Sequence, residues 1–196
     1  MDAIMVGPIK RGVNDIHEYY ELAAIVDIVM KAKPLPYIYE PWKQDRDRAL
    51  LALLACTGMR ISEALSVQVK QFSFEMPDFV EIRNVRILKR RAEPIYKDFF
   101  LPLEGILYPL TNMVVAYTKI NKEGYLFDFS RSRAWQIINY MTGKWCHFFR
   151  SQRLSYLVNK LRSTIVVADM QGIKSPQTVA HYFKGGWKHY KDELKE

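Results

Sequence analysis

The stretch from Arg46 to Cys56 leaves this chain little choice of fold. Read at helical pitch it is apolar on nearly all sides, and such a helix belongs in the middle of a core, with other elements packed around it. Its uninterrupted apolar run, Ala49 to Cys56, is far too short to cross a bilayer. Protein, not lipid, is therefore expected to surround it. Thr57-Gly58 breaks the helix, and another short one begins between Arg60 and Val67. The chain has 196 residues, 49% hydrophobic and 13% aromatic, enough for one domain with a substantial core.

The elements expected around that helix follow from periodicity. Val13 to Lys33 reads as a helix, with Asn14-Asp15 to cap it and Lys33-Pro34 to end it, followed by a loop through Pro41 to Asp45. From Phe79 to Leu88 the pattern alternates roughly every second residue, and Phe99 to Leu103 supplies a second strand after a polar connection. Helical spacing returns at Thr111–Lys119, Ser132–Met141 and Cys146–Asp169, and a last segment runs from Pro176 to Tyr182. The expected fold class is mainly α with a small antiparallel β-sheet. The expected organisation is one domain: an extension and first helix over 1–45, a core over 46–183 and a basic tail over 184–196.

Several function classes fall away. The N-terminus lacks a basic start followed by an apolar core, so no signal peptide is read and a cytoplasmic location is expected. Cys56 and Cys146 sit apart in apolar stretches without a CxxC pair, which argues for buried free thiols and against a metal site. The formal charge is +8. The basic residues are interleaved with aromatics and hydroxyls, a pattern that suits nucleic acid, and no basic amphipathic helix of the membrane-surface type stands out.

Four stretches, taken in order, resemble one family. Thr57-Gly58-Met59-Arg60-Ile61-Ser62-Glu63-Ala64-Leu65 is close to T-G-x-R-x-x-E-x-L. A hairpin carries Lys89-Arg90-Arg91 and closes in Leu101-Pro102-Leu103. Leu126-Phe127 and Ser130-Arg131-Ser132 lead to His147-Phe148-Phe149-Arg150, an H-x-x-R. Gly172 to Tyr182 looks like G-H-S-S-x-x-T-x-x-x-Y. These are the motifs of the tyrosine recombinases, the phage-integrase type, and the resemblance covers roughly residues 45 to 183.

The resemblance implies the recombinase catalytic fold and a site-specific DNA recombinase of mobile or viral DNA that cuts and rejoins strands through a 3′-phosphotyrosyl link. Tyr182 is then the nucleophile, with Tyr190 the second choice. Arg60 and Arg150 are the phosphate clamp, since guanidinium stays charged and offers parallel donors. Glu63 orients Arg60. His147 takes the phenol's proton or hydrogen-bonds the phosphate. Lys89 on the hairpin is the acid for the leaving oxygen, with Arg90, Arg91 and Lys97 beside it. The covalent link conserves bond energy, so no cofactor, metal or ATP is expected. The implied partner is double-stranded DNA, bound by a homo-tetramer, with no membrane involved.

One position departs from the pattern. Where the family carries a histidine or tryptophan after the glycine, this chain has Ile173, which donates nothing; Lys174, His181 and Trp187 are the candidates to replace it. Too few residues precede the matched region for the family's N-terminal domain, so a catalytic fragment or a minimal relative is expected. Two rival readings stay open: a recombinase-derived protein that binds DNA without cutting it, and a type IB topoisomerase.

Overall fold

In the computed structural model, residues 19–36, 40–88 and 94–182 are described. Helix α1 is Leu22–Met30, α2 Trp42–Thr57 and α3 Ile61–Ala64. Strands β1 Phe72–Ser73, β2 Phe79–Ile87 and β3 Ile95–Pro102 follow, then helices α4 Tyr108–Ile120, α5 Arg131–Thr142, α6 Phe148–Leu161, α7 Thr164–Met170 and α8 Pro176–Ala180. The protein is thus mainly helical with one three-stranded antiparallel sheet. Among the described residues, no helix is long and apolar enough to cross a membrane.

Helix α2 is the axle. Every residue from Ala49 to Thr57 is buried, and α1, α3, α4, α6 and β3 all contact the helix. This is the environment its all-round apolar surface requires. It starts at Trp42, earlier than the loop expected through Asp45, because its first turn is held from the side. The Arg46 guanidinium lies over two rings, 5.6 Å from the centroid of Trp42 and 4.7 Å from that of Phe129, and donates to Asp47. At the other end Gly58 adopts the left-handed conformation, φ +69°, and its N–H closes on the Leu54 carbonyl.

The sheet departs from simple alternation at one point. Val80 and Ile82 face the core, and so do Val85 and Ile87. Pairing passes from Ile82↔Phe99 to Val85↔Lys97, so β2 carries one extra residue. That bulge centres on Asn84, at φ +56°, a left-handed value that asparagine tolerates better than most residues. The bulge is clamped on both sides. Asn84 N–H donates to Asp98 Oδ1 at 2.8 Å, and Gln71 Nε2 donates to the carbonyls of Arg83 and Asn84.

Other boundaries move for local reasons. The first helix begins at Leu22 rather than Val13, with Glu21 at its N-cap; the Asn14-Asp15 cap lies outside the described residues. The helix expected over Cys146–Asp169 is two helices. Arg162 turns left-handed at φ +50°, and Ser163 caps α7 by accepting from Val166 N–H. The two-residue β1 and the early start of β3 at Ile95 are additions to the two strands expected. Cys56 and Cys146 are both free thiols; Cys56 is buried, whereas Cys146 is only partly so. Burial raises the Cys56 thiol to about 12.

Candidate active site

The C-terminus of α2 sets the first guanidinium. Thr57 Oγ1 donates back to the Leu53 carbonyl and accepts from Met59 N–H, closing the turn. A side chain at Gly58 would press on Arg153 of α6, with the nearest carbon at 3.0 Å. The chain leaves the turn extended at Arg60 and enters α3. There Glu63, fully buried, accepts from Arg60 twice: from its backbone N–H at 2.8 Å and from Nη1 at 2.7 Å. Arg60 is thereby aimed by its own helix turn while its side chain keeps 24% exposure.

The second guanidinium comes from the first turn of α6. Arg150 is only 4% exposed, and its Nη1 donates to the Gly58 carbonyl at 2.6 Å and to Gln171 Oε1 at 3.3 Å. The same nitrogen stands 3.9 Å from Glu63 Oε2. Its Nη2 is buried and has no hydrogen-bond partner among the described residues. Burial first, and then the charge of Arg60, lower the Arg150 pKa to about 10; Glu63 and Tyr182 oppose that shift. Arg150 is still charged at neutral pH. Among the described residues two guanidiniums thus share one carboxylate, and one buried donor has no acceptor. A buried polar group in that condition is costly unless something else completes it, and a phosphate oxygen fits.

His147 is the N-cap residue of α6, with its ring exposed on one side and Trp145 on the other at 6.1 Å between centroids. Partial withdrawal from water lowers its pKa, and the charges of Arg150, Arg60 and Arg131 lower it further, against the pull of Glu63. The imidazole is therefore neutral at physiological pH and able to accept a proton. A stability consequence follows. The unfolded chain takes up this proton near the ordinary histidine value of about 6.5, the native site only at lower pH. The contribution is complete above the unfolded value and declines as pH falls below it towards the depressed native value. Urea unfolding at neutral and mildly acidic pH is expected to show this loss in the wild type and a smaller one in His147→Gln; equal slopes would discount it.

Tyr182 ends the turn after α8, its N–H donating to the Val179 carbonyl at 2.9 Å. Its ring is half-buried against a small second core of Leu154, Leu157, Val158, Val167, Ala168, Ile173 and Val179. The phenol lies within electrostatic reach of the Arg150 guanidinium. The segment that carries it is anchored at Gly172, left-handed at φ +58°, where a Cβ would meet Ile87 Cγ1 of β2 at 2.8 Å. Gly172→Ala combines backbone strain with overpacking, about 2–4 kcal/mol together. For a chain of this size the expected fall in Tm is on the order of 10 °C. In the background Ile87→Ala the same substitution should cost less, because the obstructing atoms are gone; an undiminished cost would show that the contact is irrelevant.

The structure therefore brings together Arg60, Glu63, His147, Arg150 and Tyr182. Lys174 and His181 are exposed, and no hydrogen bond or ion pair joins them to these residues. Ile173 is 7% exposed and belongs to the second core, so a hydrophobic side chain there has a packing reason. Lys89, Arg90, Arg91, Trp187 and Tyr190 lie outside the described residues. Lys97 is committed elsewhere, donating to Asp169 of α7 at 2.7 Å. Two groups at the site escaped sequence reasoning. Gln171 touches Arg150 directly, and its only signal was a polar residue closing an apolar helix just before Gly172. Arg131 stands near enough to His147 to influence it, within the Ser130-Arg131-Ser132 stretch already singled out. Among the described residues no cluster of three or more His, Cys, Asp or Glu is placed to hold a metal.

No protein-family model and no curated protein matches this sequence. Solved structures do match it. XerH site-specific recombinase bound to difH substrate in a pre-cleavage complex superposes with a TM-score of 0.65 at 18% identity, covering 91% of this chain and 53% of that one. XerH bound to palindromic difH in a post-cleavage complex gives 0.62 at 20% identity, with 93% and 52% covered. XerA recombinase gives 0.61 at 12% identity, with 96% and 65% covered. The chain thus spans about half of the XerH chains and somewhat under two thirds of XerA. Helix order, the small antiparallel sheet and these superpositions agree: the chain has the fold of a tyrosine recombinase catalytic domain.

Proposed function

We propose that this protein cleaves and rejoins double-stranded DNA through a tyrosyl phosphodiester, in a site-specific recombination reaction. The observation that carries the reading is the guanidinium pair, Arg150 buried and Arg60 partly exposed, with one carboxylate between them and Arg150 Nη2 without a partner among the described residues, beside a neutral histidine and a tyrosine. Among the fold neighbours XerH is a site-specific recombinase and XerA a recombinase, which supports recombination in general.

The steps follow from the groups present. Arg60 and Arg150 hold the non-bridging oxygens of the scissile phosphate and neutralise the charge that builds on them. His147 accepts the Tyr182 proton as the phenol oxygen attacks phosphorus. The bond to the 5′ oxygen breaks, and that oxygen takes a proton from an acid, for which Lys89 is the proposed donor. The product is a 3′-phosphotyrosyl link and a free 5′ hydroxyl. Rejoining reverses each transfer with a new 5′ hydroxyl. One phosphodiester replaces another, so the chemistry consumes no ATP and has no step that calls for a metal or cofactor. Assembly as a homo-tetramer on two duplexes in the cytoplasm, away from membranes, belongs to the same proposal.

The test is covalent trapping. The protein is incubated with nicked suicide duplexes drawn from the flanks of its own gene, without metal or ATP, and run on a denaturing gel. The expected result is a protein–DNA adduct that peptide mapping places on Tyr182. Binding without an adduct would overturn cleavage and leave the DNA-binding reading. Adducts on any duplex, with relaxation of plasmids regardless of sequence, would favour a topoisomerase.

A further inference from the structure

Ile173 raises the question of what the turn after α7 contributes to the clamp, since the side chain after its glycine is turned into the core. The residue before the glycine answers it. Gln171 is 3% exposed, and both ends of its amide are used. Nε2 donates to the Thr57 carbonyl at 2.8 Å, and Oε1 accepts from Arg150 Nη1 at 3.3 Å. Thr57 ends the helix that leads into Arg60, Arg150 lies in α6, and Gly172 begins the segment that ends in Tyr182. One amide therefore joins the three pieces of chain that carry the two guanidiniums and the tyrosine.

We infer that Gln171 is a positioning residue for strand cleavage: it holds Arg150 through Nη1, so that Nη2 is left to face the phosphate, and it fixes the Tyr182 segment against the Arg60 turn. In this chain the polar contribution of that turn has moved from the position after Gly172 to the position before it, and from the phosphate to the arginine that grips the phosphate. The geometry is specific. The Gly58 carbonyl and Gln171 Oε1 both accept from Nη1, with Glu63 beside it, while Nη2 stays unpartnered. A guanidinium pinned at one nitrogen has lost its rotational freedom before any ligand arrives, which is where preorganisation gains rate.

This inference rests on the cleavage reading, and one experiment separates the two. Single-turnover adduct formation on the suicide duplex is measured for the wild type, Gln171→Met, Arg150→Lys and the double variant, with duplex affinity and thermal unfolding alongside. Gln171→Met is expected to lower the rate roughly 10- to 100-fold, the scale of a misplaced catalytic group, while duplex affinity changes little. In the Arg150→Lys background it should cost clearly less, because one of the two groups it holds is already gone and only its bond to Thr57 remains to be lost. A residue that merely supports the fold would give the same rate loss in both backgrounds, or a lower Tm with no rate loss well below it; either outcome overturns the inference. Should Gln171→Met not fold, Gln171→Asn enters the same cycle. It keeps a neutral amide one methylene short of both partners, so a rate loss is again expected and is again smaller with Arg150→Lys. A wild type that forms no adduct overturns the cleavage reading and this inference with it. A wild-type adduct with full-rate Gln171 variants overturns this inference alone.

Discussion

Tyr182→Phe is expected to abolish covalent capture of DNA entirely while leaving the protein folded and DNA-competent. The ring packs half-buried against the second core, and phenylalanine preserves that surface, so stability should change by no more than about 0.5 kcal/mol. What disappears is the oxygen that becomes the bridging atom of the adduct. Tyr182 is a tyrosine whose charge acts on the Arg150 guanidinium. The denaturing gel should therefore show the adduct band for the wild type and none for the variant, with equal shifts of nicked duplex on a native gel. A persistent band would assign the nucleophile elsewhere, with Tyr190 the first place to look.

The second large effect is expected from Arg150→Lys. The substitution keeps a positive charge yet removes the fork, whose two nitrogens differ: Nη1 is held by protein and Nη2 has no partner among the described residues. A lysine can serve one of these at a time. It would also stand in a buried place next to Arg60, conditions that already lower the arginine itself to about 10 and would favour the neutral amine. Losing one donor to the transition-state oxyanion should reduce single-turnover cleavage about 10²–10³-fold. Duplex affinity should fall far less, since phosphate contacts along the backbone supply most of it. A rate within a few fold of the wild type would show that Arg150 is a structural ion and that the clamp lies elsewhere.

That Arg60, His147, Arg150 and Tyr182 come near one another was legible through the motifs of the resemblance, which stand at marked places in the chain. Arg60 follows a helix-breaking glycine, His147 and Arg150 open a helix, and Tyr182 lies a fixed distance from Gly172. Such punctuation survives in a bare string of letters. What stayed hidden depends on distant neighbours. Gln171 owes its role to Thr57 and Arg150, both far away along the chain. Asn84 reads as a polar position in a strand, yet it carries the bulge only because Asp98 and Gln71 hold its backbone. The junction at Arg162–Ser163 interrupts two helices whose apolar spacing runs on unbroken, so periodicity alone joins them. That Ile173 donates nothing was plain from the sequence; that it packs into the second core was not.

Helix α2 has one further consequence, for how the two guanidiniums come together. Arg60 hangs from the end of the most deeply enclosed helix, and that enclosure needs α1, α4, α6 and the sheet to be in place. Arg150 reaches its bonding partner on the same helix end only when α6 has docked. Without α6 docked, Arg150 has neither the Gly58 carbonyl nor Glu63 beside it, while Arg60 keeps its local partner Glu63. If the protein cuts DNA as proposed, that ability depends on α6 being docked on the end of α2 and goes when that contact goes.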